Sequence, residues 1–136
     1  MDIIQSDIVK FFEEKLEDLQ CQYETRSYII SIYGKYRFSD FDLSQDSITL
    51  LFSQARFKQD FLIYQNIGDW LFFIKSMAPQ HLNNASEEYY DTIARLSYSA
   101  CYKLINRQWR LFEELSDNYQ FLQEQIKNKL PKLSEY

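Results

Sequence analysis

An all-α fold is expected here: a single-domain bundle of about five to six helices around a hydrophobic central helix, spanning 1–136. Only two Gly and two Pro occur in 136 residues, too few for the tight turns that a sandwich or barrel of short strands needs. Apolar residues recur at three- and four-residue steps along most of the chain, which is the spacing of one helical face. The composition is 46% hydrophobic and 18% aromatic, with eleven Tyr and eleven Phe. Each ring can bury about 150–250 Å², and a chain of this size needs neither disulfide nor metal to hold a core.

Residues 2–21 predict the first helix, with Ile4, Ile8, Phe11, Phe12, Leu16 and Leu19 in a stripe opposite Glu13, Glu14, Glu17 and Asp18. This acid-rich amphipathic segment, 1–24, is expected to bury its apolar side against the rest of the domain or against a second copy. Residues 25–38 contain Tyr28, Ile29, Ile30, Ile32 and Tyr33, which favour strand by propensity but also fit helical spacing. Helix is the reading adopted, with Thr25 as its N-cap.

The stretch 39–46, Ser-Asp-Phe-Asp-Leu-Ser-Gln-Asp, reads as a loop, because short oxygen-bearing side chains compete with backbone hydrogen bonding. Asp46 or Ser47 then caps a third helix reaching Gln59. Residues 60–78 are the most hydrophobic segment, apolar nearly all round, as befits a helix enclosed by others. Pro79 ends it. Ser86, followed by Glu87 and Glu88, marks the start of a fifth helix running to about Asn106. A sixth stretch, 108–129, carries Trp109, Phe112, Leu115, Tyr119, Leu122 and Ile126, with a bend expected near 116–118 and Asp117 as cap of its second half; Pro131 stops it.

The net charge is −5, which disfavours nonspecific nucleic-acid binding. The stretch 95–110 nevertheless holds Arg95, Lys103, Arg107 and Arg110 and no acid. These four are the candidate basic face, against the plainer reading of solvated helices. Cys21 and Cys101 form no paired motif, and Cys101 sits where a free thiol behaves as a small buried hydrophobe. With no signal-like start and no apolar run long enough to span a bilayer, the expectation is a cytoplasmic protein.

Familiar catalytic motifs are absent: no phosphate-binding Gly loop, no GxSxG, no HExxH. A single histidine and two unpaired cysteines predict no metal site, and no cofactor is expected. Asp69 is the residue to single out, because a carboxylate in the most apolar helix is costly unless hydrogen-bonded. Either a hydroxyl or indole donates to it and it fixes packing, or it is a raised-pKa group at a pocket floor. Gly68 beside it is expected to admit another helix or ring closely. The candidate pocket is Asp69, Trp70, Phe73, His81, Tyr90 and Tyr98, with the plainer reading that these rings are solid core.

The runs Ile67-Gly68-Asp69-Trp70-Leu71-Phe72-Phe73, Ala78-Pro79-Gln80-His81-Leu82, Tyr89-Tyr90, Ala94-Arg95-Leu96-Ser97-Tyr98 and Phe112-Glu113-Glu114-Leu115 together resemble a family of uncharacterised bacterial all-helical proteins. The likeness covers about 60–126, more loosely 25–59. It implies an all-helical cytoplasmic domain and no established activity. Leu62-Ile63-Tyr64-Gln65-Asn66 stands where members often carry arginines, and Ser76-Met77 where they often carry a Gly.

Function is not written in these residues. The reading leans away from an enzyme, toward an interaction or scaffold domain whose partner is a protein or a second copy. The alternatives are a small-molecule pocket around Asp69 and Tyr90, and nucleic acid or an acidic partner on the basic face.

Overall fold

The computed structural model describes residues 3–36, 45–82 and 85–130. Within them the chain is all-helical, with no strand: α1 (Ile3–Lys15), α2 (Tyr23–Tyr36), α3 (Gln45–Lys58), α4 (Phe61–Met77), α5 (Glu87–Leu104), α6 (Arg110–Asp117) and α7 (Tyr119–Lys127), with a 3₁₀ turn at Pro79–His81. Helix α4 touches α2, α3, α5 and α7; α5 also packs on α6 and α7, and α1 lies on α2.

Seven helices among the described residues replace the expected five to six. The extra one comes from the sixth stretch, which is divided at Asn118 (φ −107°, ψ 22°). The Arg95 Nε donates to the Ser116 carbonyl at 3.1 Å, taking the acceptor that a continuous helix would offer to residue 120, and such an intrusion kinks a helix. The Ser116 hydroxyl returns a bond to the Arg95 carbonyl at 2.9 Å. No side chain caps α7, so Asp117 does not take the cap role expected of it.

Helix boundaries follow tertiary partners as much as local signals. α1 stops at Lys15 rather than near residue 21, and the Gln125 amide oxygen accepts from the Gln20 backbone N–H at 2.8 Å. Leu16 and Leu19, expected inside the helix, are buried in the turn that follows it. α2 begins before Thr25, because the Arg26 N–H bonds the Gln22 carbonyl and Glu114 of α6 accepts from the Gln22 N–H at 3.0 Å. Thr25 is therefore not a cap; its side chain is buried.

The helix reading of α2 holds over the strand alternative. Its last two expected residues, most of the 39–46 loop and Pro131 lie outside the described residues, and α3 already includes Gln45 and Asp46. Elsewhere local chemistry decides. Asp60 caps α4, accepting from the N–H groups of Leu62 and Ile63. Ala78 ends that helix before Pro79 with φ −149°, and Ser86 caps α5 by accepting from Tyr89 N–H at 3.0 Å.

The core joins most of these elements. Phe12 of α1 stacks on Tyr33 of α2, centroids 5.0 Å apart, so the first helix buries that part of its apolar side within the chain. Tyr33 in turn meets Phe72 and Phe73 of α4, and Phe72 meets Tyr119 of α7 edge-on. Offset and edge-to-face pairs of this kind add about 0.5–1.5 kcal/mol each beyond the area they bury.

Candidate functional site

Asp69 lies on α4 and is buried. The Tyr28 hydroxyl donates to its two oxygens at 2.8 and 2.7 Å, and the Tyr98 hydroxyl donates to Oδ1 at 2.9 Å. The Gln65 side-chain amide donates to the Tyr28 oxygen at 2.9 Å, completing a chain from α4 to α2 and back. Tyr98 reaches Asp69 because its ring lies against Gly68: a Cβ there would sit 2.9 Å from ring carbon Cε1. The glycine admits the ring, as expected from sequence.

Burial pushes the Asp69 carboxyl up to about 6, against the Tyr28 and Tyr98 hydroxyls that pull it down. Burial, then the Asp69 charge, raises both phenols well above their ordinary value, so both remain protonated donors. The Cys101 thiol, buried on α5, is raised for the same two reasons. A thiol held protonated is a poor nucleophile, and the arrangement is equipped to hold three helices in register.

The structure brings Asp69 and Tyr98 together and adds Tyr28, which the sequence did not single out. The other candidates lie elsewhere. Tyr90 is eight residues before Tyr98 on α5, about 12 Å along the axis, and meets Tyr89 edge-on. Trp70 is buried, and Phe73 packs between Tyr33 and Tyr36. His81 is exposed in the 3₁₀ turn past the end of α4. The candidate basic residues also separate. Arg95 is engaged with Ser116, Lys103 is exposed on the last turn of α5, and Arg107 and Arg110 belong to the α5–α6 corner.

Two cavities open elsewhere. One, about 740 Å³, lies between α4, α5 and α7, with Lys75, Asp91, Arg95, Gln123, Glu124 and Lys127 among its lining residues. Lys75 donates to both Asp91 oxygens at 2.6 and 2.7 Å, approaches Glu87 at 3.4 Å and sits over the Tyr119 ring. That ammonium is thus held chiefly by Asp91. The second cavity, about 470 Å³, is lined by Gln22, Glu24, Gln108, Trp109, Arg110 and Leu111.

Trp109, the first aromatic of the sixth stretch, lies just before α6 and is 58% exposed. Its ring lies nearly parallel to buried Phe112, at 14° with centroids 6.3 Å apart. The turn that presents it holds two successive residues in the left-handed region, Asn106 (φ 58°) and Arg107 (φ 60°). The Arg107 N–H closes back on the Tyr102 carbonyl at 2.9 Å, the bond that seals a helix end. For a residue such as Arg107 this conformation costs about 1–2 kcal/mol.

Comparison of the chain with protein-family models, with curated proteins and with solved structures gives no match. Among the described residues no helix is long and apolar enough to cross a membrane, and no group of three or more His, Cys, Asp or Glu is placed to hold a metal ion.

Proposed function

We propose that this chain is a non-enzymatic cytoplasmic interaction domain, built around α4, that presents Trp109 to a protein partner. One observation carries the reading: a half-exposed indole rests in offset stacking against buried Phe112. Tryptophan and arginine dominate the few residues that supply most interface energy, and a side chain already held in place loses less entropy on binding. The filled, hydrogen-bonded surroundings of Asp69 support the same reading, since they offer the chemistry of a strut.

The test is a photocrosslinking amino acid at Gln108, an exposed residue of the same groove, used in cells with and without Trp109→Ala. Adducts that fall roughly tenfold in the variant, with its thermal transition changed by only a few degrees, are the expected outcome. Adducts indifferent to Trp109 would sink the proposal.

The 740 Å³ groove beside the Lys75–Asp91 pair favours a second reading, small-molecule binding, since its volume is that of ligand sites. Native mass spectrometry decides between them. A stoichiometric excess mass on gently purified protein moves the proposal to that groove; a bare chain leaves it at Trp109.

A further inference from the structure

We infer that the groove at Trp109 takes an acidic segment of another protein carrying one large apolar side chain, an inference that rests on the interaction reading above. The apolar requirement comes from the lining: Trp109 and Leu111 supply an apolar wall to a cavity of about 470 Å³, room for a side chain rather than for a folded domain.

The acidic requirement comes from the charges around it. Arg110 lines the groove, Arg107 lies two residues before Trp109 in the chain, and no carboxylate occurs between residues 95 and 112. Arg107 is exposed and has no ion pair with a described residue. Arg110 has only an exposed contact with Glu113 at 3.6 Å, a pairing worth a few tenths of a kcal/mol that a partner carboxylate can replace. α6 also starts at Arg110 with no side-chain cap, so its positive end faces the same corner and adds to the attraction.

Glu24 on the α2 wall gives the site a direction. The partner's carboxylates must lie on the α6 side, away from Glu24, with its apolar side chain against Trp109 and Leu111. The same residue argues against a nucleic acid, whose evenly spaced phosphates would run past Glu24 and, with the chain at net charge −5, gain little from two arginines. A second copy is a poorer fit as well. Phe11 is the partly exposed aromatic of the acid-rich first helix, and Lys15 sits over its ring at 5.7 Å, placing a cation where the arginines require an anion.

The experiment is selection of a random-peptide phage library on the full chain, with Trp109→Ala as counter-selection. Enriched peptides should share acidic residues beside a Leu or aromatic residue. A synthetic representative should lose roughly tenfold or more in affinity for Trp109→Ala, and bind progressively more weakly as salt rises. Arg107→Glu and Arg110→Glu, tested separately, should weaken it too, and they keep the question answerable if Trp109→Ala fails to fold. Trp109-dependent peptides that are neutral or basic would overturn the acidic partner and leave the interaction reading standing. No Trp109-dependent peptide at all would overturn both. Tighter binding of a labelled oligothymidylate than of the peptide would reassign the groove to nucleic acid. Self-association in sedimentation that Trp109→Ala abolishes would reassign it to a second copy, and either result overturns the inference.

Discussion

Asp69 and Trp109 both reverse the ordinary partition of side chains, one a carboxylate inside the core and the other an indole at the surface. Such reversals carry more information than the expected placements around them. The two are treated differently. Around Asp69 the chain supplies what the group lacks: two phenols that donate to it, a glutamine behind one of them, and a glycine that lets the other approach. Trp109 lies nearly parallel to Phe112 and remains more than half exposed, lining a cavity with Arg110. A polar group that is satisfied internally belongs to the architecture; an apolar group left half-covered is surface that the chain itself does not bury.

The comparison can be tested from either end. Gly68→Ala should have the largest effect. Its Cβ would meet a fully buried Tyr98 ring at 2.9–3.1 Å, and overpacking of this kind costs about 1–3 kcal/mol against a helix-propensity gain near 1 kcal/mol. A net loss of up to roughly 2 kcal/mol in chemical denaturation is expected; a gain would mean that Tyr98 is free to move and that the strut is loose.

Asp69→Asn bears on the same region through pH. The folded-state value near 6 lies above the ordinary 3.8, so the folded chain holds this proton when the unfolded chain has released it. The resulting stabilisation is fully present below 3.8 and is lost as pH rises through about 6. The stability difference between the parent and Asp69→Asn should therefore shift in the parent's favour as pH is lowered from 7 to 4.5. A difference that stays flat over that range would show that burial of the carboxyl is not what governs it.

The surface end should give the smallest change. Arg107→Gly removes a side chain from a left-handed position and should stabilise the chain by about 1 kcal/mol, while weakening any partner that needs the guanidinium. Unchanged stability would show that the turn carries no strain.

How much of this was legible before the fold depends on the range of the signal. Gly68-Asp69 in an apolar run announces a local conflict, and both residues proved to be where the packing is decided. Tyr28 was invisible as a partner because it lies 41 residues away, on a segment whose composition fits strand as well as helix. Lys75 and Asp91 were missed for a related reason, as ordinary polar positions on two helices that become a pair only when α4 meets α5. The exposure of Trp109 was not legible either, because it continues the apolar period of the residues after it and period alone does not say where burial stops. The sharp turn before it contains no glycine, the residue that normally advertises a left-handed backbone.

The reciprocal bonds between Arg95 and Ser116 also bear on how the chain assembles. They join positions 21 residues apart and add a long-range cause of the break at Asn118 to the local one carried by Ser116-Asp117-Asn118. With the Ser116 carbonyl held by Arg95, the angle between α6 and α7 is tied to the position of α5. The seventh helix is thus held apart from the sixth by a tertiary contact as well as by its own sequence.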